Sequence, residues 1–317
     1  MTGRKVLLPQ PSRKAHGEPC SLESALERVH RDTGYDLSAA SVRVGFTRGH
    51  LMDLVIRSAA FALAGSAADS AACERLVTLL LGAECRAAWV GSITSVPGPK
   101  PSSLRMVGRD DDRFHPIATL SETIEGGIAG IHGGLDERPY HRFCEQAGWT
   151  LLDVEPHATD AECLAQDDLA LCSTMLPEML KCFLQGQPFS SVRFSRNSEI
   201  FCYLKYRSDQ RTSEVRLAER LALEDALNRA LVPGGVGCVV GSGLGLHYSY
   251  VDLALTDLDH GAELCARVFE KSAIEGPCWL LFCDSKWSDV WAPLTEDQQS
   301  PPGLSSTHAP SESRSNN

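Results

Sequence analysis

No Cys-x-x-Cys pair occurs in this chain of 317 residues, although it contains 12 cysteines. Zinc ribbons and fingers need two such close pairs to set four ligands around one ion, so no structural metal is expected. The thiols read instead as small buried apolar residues of a reduced protein. Long apolar runs are missing as well. The longest apolar-rich stretch, residues 51–63, is broken by Asp53 and Arg57, well short of the roughly 20 residues of a membrane helix. At the N-terminus an apolar core of three residues, 6–8, is too short for a secretory leader. A cytoplasmic protein with no membrane association is therefore expected. Positive charge is also short: 30 Lys and Arg against 41 Asp and Glu leave a formal charge of −11, which argues against nucleic-acid binding. The G-x-S-x-G, H-E-x-x-H and G-x-x-x-x-G-K-[ST] signatures do not occur, so no catalytic nucleophile and no cofactor is indicated.

What the chain does contain is a textual repeat. VGFT-RG at residues 44–49 recurs as VRFS-RN at 192–197, Glu74-Arg75-Leu76 as Glu219-Arg220-Leu221, and Val90-Gly91 as Val236-Gly237. The three matches keep their order, with offsets of 148, 145 and 146 residues. One unit present twice is the expectation.

In the second copy a hairpin is expected from 191–195 and 199–206, then a helix over 214–231 whose apolar stripe ends at Pro233-Gly234-Gly235. Strands follow at 236–240 and 248–255, joined by the glycine-rich GSGLGLH. A helix after Asp257 and a buried strand at 278–283 complete the copy. The order is βαββαβ with an added first strand. The first copy follows the same plan: hairpin 42–47 and 54–63, helix 70–81, strands 88–96 and 104–107, a glycine-weakened helix 121–135, and a closing strand 149–154. The fold class expected is thus α+β, two tandem ferredoxin-like sandwiches with antiparallel sheets and helices on one face. The chain divides into a disordered tail (1–19), a docking helix (20–40), the first repeat (41–156), a helical joining segment (157–190), the second repeat (191–293) and a disordered tail (294–317). Within the joining segment a helix is expected over 167–184, kinked at Pro177.

Gly241 to Gly245 lacks the spacing and the strand-to-helix context of a phosphate loop and reads as a glycine-rich hairpin. Asp257 and Asp259 read as helix-capping carboxylates, and the run Asp110-Asp111-Asp112 as a solvated loop. Arg48 and Arg196 occupy equivalent repeat positions, and with His247 and Tyr248 they form a candidate cluster for an anionic ligand. Eight acidic residues and no Lys or Arg fall between residues 143 and 180. Among them Asp153, Glu155, Asp160, Glu162, Asp167 and Asp168 form a candidate surface for a basic protein partner. Two functions follow: a non-catalytic binding protein, of the inhibitor or immunity type, for a basic target, or a small-ligand protein or enzyme holding an anion between the repeats.

Overall fold

A computed structural model describes residues 18–62, 66–98, 113–163, 165–296 and 299–304. The strand expected at 104–107 and the run Asp110 to Asp112 lie outside them. The chain is mixed α and β, and it divides into two compact units, one built on residues 12–135 and the other on 136–317.

In the first unit, α1 (Leu22–Thr33) starts where the Ser21 hydroxyl accepts the Ser24 N–H at 3.3 Å, and it ends at Gly34 in the left-handed region (φ 78°). Ala25 and Val29 are its buried positions. A hairpin follows, β1 (Ser41–Phe46) and β2 (Met52–Ser58). Burial alternates along β2, with Met52, Leu54 and Ile56 inward, as period-2 side chains require. Next come α2 (Ala67–Leu81), α3 (Ala83–Trp89) and β3 (Val90–Pro97), then β4 (His115–Pro116) and α4 (Leu120–Gly134). The strand order is β3-β2-β1-β4, and β3 runs parallel to β2.

This arrangement corrects the expected antiparallel βαββαβ order for the described part of the first unit. The chain leaving β2 crosses through α2 and α3 and returns directly beside β2. The closing strand, β5 (Thr150–Asp153), is not in this sheet at all: it pairs antiparallel with β6 (Leu169–Thr174) in the second unit.

β6 itself replaces the first half of the helix expected over 167–184. A short apolar run such as Leu169-Ala170-Leu171-Cys172 satisfies helix and strand patterns alike, and tertiary pairing decides between them. Pro177 does not kink a helix but begins one, α5 (Pro177–Leu184), at the position where its missing N–H costs nothing. Where a strand is expected over 191–195, Ser191–Arg193 form a turn of 3-10 helix. Then follow β7 (Ile200–Arg207), α6 (Ser213–Leu231), β8 (Gly237–Gly245), β9 (Tyr248–Leu255), α7 (Leu258–Glu270), β10 (Cys278–Phe282) and β11 (Trp291–Pro293). Asp257 caps α7 by accepting the His260 N–H at 3.0 Å, as its position predicts.

The second sheet has seven strands in the order β11-β10-β7-β9-β8-β6-β5, and all of its pairings are antiparallel. One face packs Leu204, Val251, Leu253 and Leu280 against α6 and α7. The other face, carrying Phe201, Tyr203, Tyr250, Trp279 and Leu281, is covered by α5 and by irregular chain that includes Cys163, Phe189 and Phe194. Burial on both faces explains why β9 is buried at every position. All 12 cysteines are free and ten are buried. Burial pushes the thiols of Cys73 and Cys265 up to about 12, as desolvation of a thiolate demands. Leu294 lies in the core and Leu304 packs against the second cluster, so these two positions of the tail expected from residue 294 are packed.

Candidate functional site

Asp168 organises the end of the β8–β9 hairpin. Its carboxylate accepts the backbone N–H of His247 at 2.7 Å and of Tyr248 at 3.0 Å, and it accepts the Tyr250 hydroxyl. The residue is fully buried. Around it, the Arg216 guanidinium donates to the carbonyls of Gly245 and Tyr248 and to the Ser208 hydroxyl. Lys205 donates to the Cys163 carbonyl at 2.8 Å and stands 4.4 Å from the centre of the Tyr248 ring. Burial holds the Lys205 amine below its usual range.

The glycine-rich segment is what admits these groups. Gly241, Gly243 and Gly245 lie within β8, where alternate residues share a face. A Cβ on Gly245 would stand 2.3 Å from an Asp168 carboxylate oxygen, one on Gly243 2.2 Å from the Leu169 side chain, and one on Gly241 2.5 Å from Asp252. These glycines therefore belong to a strand over which another segment packs closely.

His247 donates toward Asp209 (3.2 Å) and the Thr159 carbonyl (3.1 Å). The Thr159 contact chiefly, with Asp209 adding to it, raises its pKa above the ordinary histidine range. The Tyr248 hydroxyl donates to the Ala161 carbonyl at 2.9 Å. Both side chains thus hold residues 159–163 against the sheet. Arg196 stands 3.6 Å from Glu137. Arg48 belongs to the other unit, in the turn between β1 and β2, and its side chain lies outside the described residues. The structure therefore brings His247 and Tyr248 to the segment containing Asp167 and Asp168, with Arg196 engaged elsewhere.

The acidic set is split. Asp168 is buried and Asp167 half-buried, so Asp168 presents no carboxylate to a partner, contrary to its expected role. Asp153, Glu155, Asp160 and Glu162 are exposed. This division was invisible in the composition, because it depends on which carboxylates meet the hairpin amides.

Sequence reasoning also missed an exposed apolar face. Cross-strand partners share a face, and Leu151 pairs with Ser173, which pairs with Ser242. In the next row Asp153 pairs with Leu171, and Leu171 with Leu244. Ser242 points toward α6, where Glu224 hydrogen-bonds it, so both rows lie on the helix side of the sheet. Helical spacing puts Leu217, Leu221, Glu224 and Asn228 on one flank of α6, opposite the flank that contributes Ala222 and Ala226 to the groove against α7. Among the described residues, that side is left exposed over β6 and β5. Leu151 is 70% exposed, Leu221 48%, Trp149 45% and Leu217 38%. A groove of about 610 Å³, lined by Glu145, Trp149, Asp225, Asn228 and Arg229, continues the face.

Among the described residues no group of three or more His, Cys, Asp or Glu side chains is placed to hold a metal, and no helix is long and apolar enough to cross a membrane. Comparison of the chain with protein-family models, with curated proteins and with solved structures finds no match in any of the three.

Proposed function

We propose that this chain is a non-catalytic binding protein of the cytoplasm, and that it engages a basic protein partner through the outer part of its seven-stranded sheet. The observation that carries this reading is the uncovered face of β5, β6 and α6: exposed Leu151, Leu217, Leu221 and Trp149 beside the carboxylates of Asp153, Glu145 and Asp225. Contiguous apolar surface with a charged rim is what protein interfaces are made of. Clustered carboxylates steer a basic partner toward it. β5 is also an end strand whose outer edge has no partner strand among the described residues, and a free edge accepts an extended segment. An inhibitor or immunity role for such a protein fits its acidic charge.

The order β10-β7-β9-β8, with α6 and α7 on one face, supports reading residues 200–282 as a ferredoxin-like sandwich extended by β6 and β5. The anionic-ligand reading loses ground because Arg196 faces Glu137 and His247 faces Asp209.

The test is affinity capture from the native host with the unsubstituted chain and with Leu151→Asp. Because Leu151 is mostly solvated, the substitution is expected to change stability by no more than about 0.5 kcal/mol. A stoichiometric basic protein retained by the first chain, lost from the second and eluted by raised salt is the expected outcome. Retention that ignores both the substitution and the salt overturns the reading.

A further inference from the structure

On the face of the sheet opposite α6 and α7, the segment of residues 299–304, Gln-Ser-Pro-Pro-Gly-Leu, lies against Trp279 and Tyr248. The Trp279 indole N–H donates to the Gln299 carbonyl at 2.7 Å. Pro301 is buried, and Leu304 packs against the cluster that contains Trp279 and Tyr248. The segment closes into a turn in which the Leu304 N–H meets the Pro301 carbonyl at 3.2 Å, with Gly303 at φ 77°, the conformation that a Pro-Gly pair favours. The two aromatic rings stand edge to face, 6.4 Å apart. Beside the segment the same groove keeps about 350 Å³ of open space, bordered by Arg207, Glu162 and Pro277.

An aromatic floor with an indole N–H aimed at a carbonyl two residues before a proline is chemistry suited to recognising proline-containing peptides. The rigid ring loses little entropy on docking, the aromatic face meets its apolar side, and the indole supplies one directional bond. We propose that the Trp279–Tyr248 groove is a binding site for proline-containing peptide segments, occupied in cis by residues 299–304. Its ligand in trans is an extended segment of another protein with a Pro-Pro or Pro-Gly turn, and Arg207 and Glu162 are placed to meet polar side chains flanking that turn. The cis segment is tethered to β11 by a few residues, so it competes at an effective concentration in the millimolar range. A trans ligand binds the unsubstituted chain weakly unless the tail is released. This site is separate from the apolar face of β5, β6 and α6, and its failure would leave that reading untouched.

The experiment uses the full chain and a synthetic peptide with the sequence of residues 296–306. Pro301→Asp releases the tail. Gly303→Val does so by a second route, since a β-branched residue does not tolerate φ near +77°. Peptide titrations followed by calorimetry are expected to show binding at least about tenfold tighter to either variant than to the unsubstituted chain. Adding Trp279→Phe to the released chain removes that gain, and so does a peptide with both prolines replaced by alanine. Equal affinity for native and released chains, binding indifferent to Trp279→Phe, or no binding to either released variant overturns the proposal.

Discussion

Asp252 is an acid enclosed in the sheet, and its surroundings make stability depend on pH. Burial pushes its carboxyl up to about 6 from the ordinary 3.8, against a hydrogen bond from Gln166 that favours the ionised form. Glu224 opposes ionisation as well, and Arg220 favours it. Between pH 4 and 6 the unfolded chain has released this proton while the folded chain still holds it, so stability falls as pH rises through that window. The cost above pH 6 is about 3 kcal/mol. Chemical denaturation of Asp252→Asn is expected to flatten the decline between pH 4 and 6 relative to the unsubstituted chain. An unchanged slope would assign the pH dependence to other groups. The Asp252 residue was legible as a strand position in the sequence, but its burial was not, because that depends on Gly241 and Gln166 closing over it from β8 and from the segment before β6.

At the scale of elements, glycine has opposite meanings in the two units. In α4 nothing lies within 4 Å of a Cβ built on Gly130, and helix propensity alone then decides. Gly130→Ala is expected to raise the stability of the first unit by about 0.5–1 kcal/mol. In β8 a Cβ on Gly245 meets the Asp168 carboxylate, so Gly245→Ala is expected to lower stability by about 1–3 kcal/mol, as overpacking does. Thermal melts of the two variants shifting in the same direction would refute the distinction. The textual repeat does not carry over into packing at this scale. Its helix match falls in α2 and α6, but Leu76 is buried while Leu221 is exposed and Arg220 is buried. The same three letters thus face the core in different registers. Strand and helix identities in α1, β2, α6, β9, α7 and β10 follow from periodicity and caps. β6 and the destination of β5 do not, because both depend on partners distant in the chain.

For the whole molecule, charge and partition belong together. Each unit has buried clusters of its own, one drawn from residues 25–124 and two drawn from residues beyond 136. A core of its own is the criterion for independent folding. Residues 136–317 expressed alone are expected to melt in one cooperative transition with native-like near-ultraviolet dichroism; a fragment without either would show that the division is not one of folding units. The acidic excess concentrated at residues 143–180 lies in the second unit, partly spent inside on the hairpin amides and partly left at the rim of the uncovered face. By itself the amino-acid sequence determined the mixed α and β class, most helices, the Asp257 cap of α7, and the buried character of most cysteines, because these follow from local periodicity, propensity and hydrophobicity. Only the tertiary structure decided which sheet β5 joins, which acidic residues are buried, and that residues 299–304 cover Trp279. Those outcomes are set by pairings between distant segments, where backbone hydrogen bonds and close packing choose among local readings of nearly equal energy.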